Sequence, residues 1–179
     1  MSESILREAT ASDAAGIASV HAISSEDAYA PLAGEWSAPT IERRTAMWHA
    51  SLEGGAERVL VAEVAGTMVG FVSGGHARRA RVVADVELHV IHVLPAHRGR
   101  GIGAALWERA CGILRGPELA SMYVDTLAEL RSCGFYAARG GQVIEHRPTD
   151  FHGAIRTHVT YLWNRGTSSA ASALPDRPC

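Results

Sequence analysis

The sequence has 179 residues, a formal net charge of −2 and 17 basic residues, all of them arginine. This length suits one domain with its own core, and the charge argues against general binding to nucleic acids or anionic membranes. The 3 cysteines are widely spaced and fit no metal-ligand spacing, which is typical of free thiols in a reducing compartment. Because the chain also shows no signal-peptide pattern and no long apolar run, we expect a cytoplasmic protein without a membrane span or a metal site.

The N-terminal part of the chain predicts one strand and two helices. Residues 4–9 are typical of a short strand, and Thr10 has a suitable side chain to cap the helix that follows. Thr40 is a second candidate N-cap, for a helix that runs to about residue 52. Prolines and a glycine interrupt the segment between the helices, so residues 24–39 are predicted to be irregular.

Two apolar runs follow at residues 58–64 and 67–73, separated by Ala65 and Gly66, and this pattern predicts a β-hairpin. An arginine-rich segment, residues 78–81, comes next. Its side chains suit either a contact with an anionic group or a solvated hairpin tip. The solvated tip is the favoured interpretation for such a charge run.

Residues 86–110 predict a strand, a proline turn, a glycine-rich loop and a helix. Alternation divides the strand into two faces, with Val86, Leu88, Val90 and His92 on one and Glu87, His89, Ile91 and Val93 on the other. Pro95 ends the strand because it has no backbone N–H. Arg98, Gly101 and Gly103 then precede apolar residues at helical spacing. A glycine loop at a helix N-terminus presents free N–H groups and the positive end of the helix dipole, which suits a phosphate-like anion.

The remaining chain predicts a strand, a short helix, a hairpin and a tail. Gly116 and Pro117 are suited to end the preceding helix. The predicted elements are a fifth strand at 119–126, a helix at 127–138, a sixth strand from Gln142 and a seventh strand at 154–163. Residues 166–179 are small, polar and proline-containing, so we expect a disordered tail after one domain of residues 1–165.

The spacing of Arg98, Gly101 and Gly103, between a strand and a helix, resembles the acyl-CoA pyrophosphate loop of the GNAT acetyltransferases. The order of elements over about residues 4–164 agrees with this resemblance. A dinucleotide-binding motif would need a glycine where Leu106 stands, and a P-loop would need a lysine, which the chain lacks. The resemblance implies an α/β (α+β) fold: a mixed, mostly antiparallel seven-stranded sheet, about four flanking helices, and a fourth and fifth strand that splay apart.

The resemblance also implies acetyl-CoA as the cofactor, held by the backbone at the end of the fourth strand and by the glycine loop. The implied cofactor-binding residues are Ile91, His92, Val93, Arg98, Gly99, Arg100, Gly101, Ile102, Gly103, Ala104, Glu129, Ser132 and Phe135. One departure stands out, because family members usually carry a pantetheine-binding asparagine where this chain has Glu129. The small residue expected before Phe135 is kept, as Ser132.

For the general base, the resemblance points first to Glu87. This residue stands at the offset before Arg98 where some family members carry a glutamate that deprotonates the acceptor. The alternative is a structural carboxylate paired with an arginine of residues 78–81, and the two interpretations stay open. His89, predicted on the same strand face, could share the role, whereas His92 is more typical of a structural histidine.

For the general acid, the resemblance points to Tyr136, which matches the tyrosine that many family members place near the CoA sulfur. The alternative is that Phe135 and Tyr136 only pack their helix against the sheet. Cys133 has no evident base beside it, so we expect a structural thiol rather than an acyl-enzyme.

The acceptor pocket of the family is covered by the region that corresponds to residues 24–52, which includes the second predicted helix. Here that region carries Tyr29 and Trp36 as candidate substrate-binding residues, together with Glu26, Asp27 and Glu35. Aromatic rings and carboxylates suit a cationic or aromatic amine. The alternative is that the rings are core residues and the carboxylates form a solvated surface.

The leading hypothesis is therefore an N-acetyltransferase that moves an acetyl group from acetyl-CoA to a primary amine of a small molecule or peptide, directly within a ternary complex. The alternative is a catalytically weak or inactive acyl-CoA-binding or sensing domain, which the Glu129 departure motivates. An acetyltransferase directed at nucleic acids is disfavoured by the near-neutral charge. We expect no nucleic-acid or membrane partner, and a homodimer would be in keeping with relatives.

Overall fold

The chain forms seven strands and four helices, in a computed structural model that describes residues 4–79 and 82–167. Arg81 and residues 168–179 of the predicted tail lie outside this part of the chain. The strands are β1 (Ser4–Glu8), β2 (Glu57–Val64), β3 (Thr67–His76), β4 (Val86–Val93), β5 (Met122–Leu127), β6 (Gln142–Phe151) and β7 (Ala154–Trp163). The helices are α1 (Ala14–Tyr29), α2 (Ile41–Gly54), α3 (Ile102–Arg115) and α4 (Ser132–Ala137).

All seven strands belong to one mixed sheet with the order β1-β2-β3-β4-β5-β7-β6. Neighbouring strands are antiparallel except β4 and β5, which are parallel. One core lies on the sheet face that α3 and α4 cover, and it includes the fully buried Leu106 and Trp107. The second core lies against α1 and α2 around Ile17, Trp48 and Phe71. This architecture confirms the fold class predicted from the sequence.

The contact between β4 and β5 is short. It consists of two residue pairs, Val86 with Met122 and Glu87 with Tyr123. Beyond these pairs the two strands separate, and residues from both line a common cavity. The predicted splay between the fourth and fifth strands is therefore confirmed, and it places an opening in the middle of the sheet.

A β-bulge in β4 corrects the predicted faces of that strand. Between two positions paired with β3, strand β4 contains one extra residue, His89. Leu88 before the bulge and Ile91 after it both pack on the α3 side, whereas Val90 and His92 face the core under α1 and α2. The prediction that Leu88, Val90 and His92 share one face was wrong, because an inserted residue reverses the alternation of every side chain that follows it.

Helix α1 is longer than predicted. It continues to Tyr29, and Ser24 and Ser25 are buried in its last turns. The segment 24–39, predicted to be irregular throughout, is therefore helical at its start. Packing of Tyr29 against Trp36 and Phe151 holds the last turn of α1, and local sequence does not show such contacts.

Helix α4 is shorter than the predicted helix at 127–138, because Leu127 still pairs with β7 and helical geometry begins at Ser132. The predicted cap of α2 is confirmed, since the backbone N–H of Arg43 donates to the Thr40 hydroxyl at 3.3 Å. Among the described residues, none of the helices has the length and apolar character needed to cross a membrane.

Candidate active site

The loop before α3 adopts a backbone conformation that requires glycine. Gly99 and Gly101 have φ angles of 71° and 82°, in the left-handed region that other residues rarely occupy. The first α-helical bond runs from the N–H of Ala105 to the carbonyl of Gly101 at 3.0 Å. The N–H groups of Ile102, Gly103 and Ala104 therefore have no partner within the helix, and together with the positive end of the dipole they are suited to an anion.

These N–H groups open onto a cavity of about 400 Å³, called the groove below. The predicted cofactor residues that line it are Ile91, Val93, Arg98, Gly99, Gly101, Gly103, Ala104, Ser132 and Phe135. A Cβ atom added to Gly103 would lie 3.7 Å from the Phe135 ring and 3.8 Å from a Val93 methyl group. Glycine at this position therefore keeps the groove open between β4 and α4.

Sequence reasoning missed two arginines of the groove, Arg131 and Arg139. The Arg139 guanidinium lies 3.6 Å from the centre of the Phe135 ring and donates to the Phe135 carbonyl at 3.0 Å. The signal available in the sequence was a basic residue one helical turn after Phe135. Together with Arg98 and the free N–H groups, these charges suit a ligand with several phosphate groups.

The groove adjoins a second cavity of about 560 Å³, called the chamber below. The two cavities share lining residues at the parting of the strands: Ile91, Val93, Arg98, Arg131 and Ser132. The chamber wall includes Tyr29 from α1, His89 and His92 from β4, Thr126 from β5 and Tyr136 from α4. The opening in the sheet therefore connects the groove to a partly open chamber with titratable side chains.

Tyr136 is buried in the chamber wall, 4% exposed, with its ring centre 5.8 Å from that of Trp107 and 5.7 Å from that of Tyr161. Burial raises the pKa of its phenol well above the ordinary value. The hydroxyl is therefore protonated at neutral pH and available as a proton donor toward the chamber.

Glu87 lies outside the linings of both cavities, and its carboxylate is fully engaged. It accepts hydrogen bonds from the Arg78 backbone at 3.0 Å, from the Arg78 side chain at 2.7 and 3.1 Å, and from the Tyr123 hydroxyl at 2.5 Å. Burial opposes ionisation, but the bonds from Arg78 and Tyr123 outweigh it and lower the pKa of Glu87. The arginine pairing that the sequence left open as the alternative is present.

Of the arginine-rich segment, the structure describes Arg78 and Arg79, and these two pair with the sheet instead of forming the solvated tip that was favoured. Arg78 binds Glu87, and Arg79 forms an ion pair with Asp125 at 2.6 Å. Both bonds join the segment to the sheet on either side of the β4–β5 parting. A charge run in a sequence does not show these partners, because they come from strands that follow it.

His89, the bulge residue, lines the chamber, and its side chain is 7% exposed. Its Nδ1 atom lies 3.3 Å from Glu57 Oε1, and this proximity lowers the pKa of Glu57. Nδ1 and Nε2 are both buried, and neither has a hydrogen-bond partner among the described residues. The bulge thus changes the direction of the His89 side chain, which lies in the chamber wall next to Glu57.

His92 also lines the chamber, but its ring is buried between aromatic neighbours. The ring centres of His21 and Phe71 lie 5.3 and 5.7 Å away. Burial, followed by the nearby His21 and Arg98, lowers the pKa of His92 to about 3. His21 in turn accepts a hydrogen bond from Trp48 Nε1 at 3.2 Å, and burial lowers its pKa to about 4. Both imidazoles are therefore neutral at neutral pH.

The two predicted substrate residues are placed differently. Tyr29 lines the chamber, whereas Trp36 stacks behind it with ring centres 6.3 Å apart and donates to Glu26. The segment after α1 is fixed to the β6–β7 turn, since the N–H of Glu35 donates to the His152 carbonyl at 2.8 Å. Trp36 therefore packs against the chamber wall from outside and does not line the chamber.

The remaining predicted cofactor residues lie at the margins. Glu129 is exposed and lines the chamber from the turn before α4. The side chain of Ile102 belongs to the core, so only its backbone faces the loop. Arg100 is exposed and lines neither of the two cavities.

A mixed sheet that parts between two parallel strands, with a glycine loop and a helix start beside the parting, is the architecture of the acyltransferase class. Residues 18–140 match the family model described as "Acetyltransferase (GNAT) family". The chain therefore belongs to the GNAT acetyltransferase family. No curated protein matches the sequence.

Solved structures share the fold at low sequence identity. An N-acetyltransferase from Staphylococcus aureus Mu50 has a TM-score of 0.73 at 17% identity, over 91% of this chain and 99% of the other. YncA from Salmonella typhimurium, solved with its cofactor acetyl-CoA, has a TM-score of 0.69 at 22% identity, over 98% and 99%. A ribosomal-protein-alanine N-acetyltransferase from Brucella melitensis has a TM-score of 0.71 at 19% identity, over 89% and 99%. At these identities the likeness concerns the fold.

Proposed function

We propose that this protein is an N-acetyltransferase that moves an acetyl group from acetyl-CoA to a primary amine of a small molecule or peptide, directly within a ternary complex. The observation that carries this proposal is the continuity of groove and chamber through the parted strands. Arg98, Ile91 and Val93 line both cavities, so a ligand held at the α3 N-terminus has a path to Tyr136.

The residues of the groove fit acetyl-CoA. The free N–H groups of residues 102–104 and the guanidinium groups of Arg98, Arg131 and Arg139 suit a pyrophosphate. Past the two β4–β5 pairs, residues 91–93 of β4 do not pair with β5. Their backbone polar groups on that side are therefore open to hydrogen bonds with a pantetheine arm. When bound, acetyl-CoA supplies an acetyl group already activated as a thioester, and a family member has been solved with this cofactor.

The chamber residues supply the proton chemistry. We place the proton acceptor at His89, because this residue lines the chamber with Glu57 beside it, whereas the oxygens of Glu87 are occupied by Arg78 and Tyr123. Tyr136 holds a proton at Oη for the leaving thiolate. Backbone N–H groups of β4 at the parting are suited to hold the acetyl carbonyl.

Two further features of the chain bear on this proposal. Glu129 at the chamber rim replaces a pantetheine-binding amide, and a binding or sensing role without catalysis remains the competing function.

Cys111 and Cys133 are buried and form no disulfide among the described residues, which supports action in the reducing cytoplasm.

The test is an acetyl-CoA turnover assay with a panel of small amines and peptides that carry a free amine, read by the release of CoA thiol. We expect turnover with at least one amine and none without an acceptor. Saturable CoA binding without turnover of any amine would contradict the proposal and favour the binding domain.

A further inference from the structure

Arg98 occupies a position that joins the two cavities. Its side chain lines both the groove and the chamber. Nε donates to the Val93 carbonyl at 3.0 Å, and Nη1 forms an ion pair with Asp27 in the last turns of α1. The guanidinium proposed to bind phosphate is therefore already bound to a carboxylate of the chamber wall.

Asp27 differs from Asp125, the other aspartate that lines the chamber. Asp125 is held by Arg79 at 2.6 Å and by the Thr160 hydroxyl at 2.6 Å, and these two partners belong to the scaffold. Within the described residues, the one ion-pair partner of Asp27 is Arg98, a residue with a second ligand to bind. Its negative charge in the chamber is thus neutralised only while Arg98 stays in place.

The ion pair between Arg98 and Asp27 is weak enough for a ligand to displace. The side chains are 35% exposed for Arg98 and 43% for Asp27, so water screens their attraction and little burial holds them together. A pyrophosphate offers two charged groups at the mouth of the groove, where the free N–H groups of α3 assist. Arginine binds phosphate and carboxylate oxygens with the same bidentate geometry, and a pyrophosphate carries more negative charge than one exposed carboxylate.

We propose that Asp27 binds the ammonium group of the acceptor amine, and that Arg98 occupies Asp27 until the pyrophosphate of acetyl-CoA draws Arg98 away. The inference rests on the proposed function in one respect, the use of Arg98 by a phosphate ligand. It deepens that function in two ways. The acceptor amine is protonated when it binds, and acetyl-CoA binds before the amine. Because coupling between two sites is reciprocal, a bound amine also strengthens CoA binding.

The first test uses CoA alone as the probe, in titration calorimetry of the full chain. Asp27→Asn removes the competitor for Arg98, so it should tighten CoA binding about two- to fivefold, the range typical of exposed ion pairs. Arg98→Gln should weaken CoA binding about tenfold. In the Arg98→Gln background, Asp27→Asn should have no further effect. Unchanged or weaker CoA binding by Asp27→Asn alone would overturn the competition.

A matched control is available on the same helix. Asp13, next to the start of α1, also forms an ion pair with an arginine, at 2.8 Å from Arg7, and it lines neither cavity. Asp13→Asn therefore removes the same charge and the same kind of bond without touching the site. We expect CoA affinity equal to that of the unaltered protein.

The second test uses the best amine of the turnover panel. Asp27→Asn should raise the KM of that amine about 10- to 100-fold, the effect of one charged hydrogen bond, and leave kcat within about threefold. A fall in kcat at unchanged KM would overturn the assignment of an ammonium ligand. If no amine is turned over, the proposed function fails while the CoA titrations still decide the competition between Asp27 and Arg98.

Discussion

Tyr136 is a side chain whose two possible roles can be separated by removing one atom. Tyr136→Phe keeps the ring among Trp107 and Tyr161 and removes only the hydroxyl of this chamber-lining residue. If Oη protonates the leaving thiolate, kcat should fall about 100-fold or more, with the KM of acetyl-CoA little changed. Steady-state kinetics measure both quantities.

Tyr161→Phe is the matched control, since Tyr161 is an equally buried tyrosine outside both cavity linings. We expect its kcat to stay close to that of the unaltered protein. An unchanged kcat in Tyr136→Phe would mean that Phe135 and Tyr136 serve packing alone.

His21 and His92 should make stability depend on pH. Their pKa values in the fold are about 4 and about 3, against about 6.5 when unfolded. The unfolded chain therefore binds more protons between these values, and stability is fully present above pH 6.5 and is lost as pH falls toward 4. We expect a loss of roughly 1–2 kcal/mol per histidine by pH 5, measured by urea unfolding.

The variant His92→Gln should reduce this pH dependence, because one of the two buried imidazoles is gone. His146→Gln, at an exposed position of β6, should leave the dependence as it was. An equal slope in His92→Gln and the unaltered protein would assign the effect to other groups.

Site residues were predictable from the sequence where they are contiguous, and less so where they come from distant segments. The loop of residues 98–104 could be recognised because its glycines, its arginine and the helix start adjoin one another. Asp27 and Arg98 are far apart in the chain, and no local pattern indicates that they meet. The partners of Glu87 are hidden in the same way, because Tyr123 belongs to a strand that pairs with β4 only in the fold.

At the scale of elements, the approach of α3 to the sheet depends on a glycine in β3. A Cβ atom on Gly74 would lie 2.5 Å from Leu114 Cδ1 and 2.8 Å from the Glu87 carbonyl oxygen. Because the second contact is backbone of the neighbouring strand, relief needs a shift of β4 or α3. Gly74→Ala should therefore lower the free energy of unfolding by about 1–3 kcal/mol, measured by urea unfolding.

Gly112 is the matched position on α3 itself, where an added Cβ atom meets nothing within 4 Å. Gly112→Ala should raise the free energy of unfolding by about 0.5–1 kcal/mol, because alanine favours the helix. Equal effects of Gly74→Ala and Gly112→Ala on the free energy of unfolding would show that a side chain at position 74 does not hinder the approach of α3 to the sheet.

The elements themselves follow largely from hydrophobic spacing. The seventh strand and α3 lie where their patterns predicted, and the tight turns are at glycines. The bulge at His89 could not be predicted, because it is a property of the pairing between β3 and β4 rather than of either sequence. The end of α1 depends likewise on burial by elements distant in the chain.

At the scale of the whole molecule, CoA should stabilise the fold through the groove. At a concentration 100 times its Kd, a ligand adds about 2.7 kcal/mol to the free energy of unfolding, which corresponds to roughly 5–11 °C in Tm for this size. Gly101→Ala should diminish this shift, because an alanine resists the φ of 82° that aims the N–H groups. Thermal unfolding with and without CoA measures it.

Gly55→Ala is the control for Gly101→Ala. Gly55 has a φ of 63° at the end of α2, and an added Cβ atom there also meets nothing within 4 Å. The two variants carry similar backbone strain, so their Tm values without CoA should be similar. A CoA-induced shift that is equal in both variants would argue against the loop as the anion site.

The two residue pairs between β4 and β5 also divide the molecule mechanically. Strands β1–β4 form one antiparallel unit and β5–β7 another, and each has its own ladder of hydrogen bonds. The seam between these units is the weakest line across the sheet, so local opening with amide exchange should begin there rather than at the outer strands. A ligand lying in the seam would take the place of a missing strand and couple the two units into one cooperative whole.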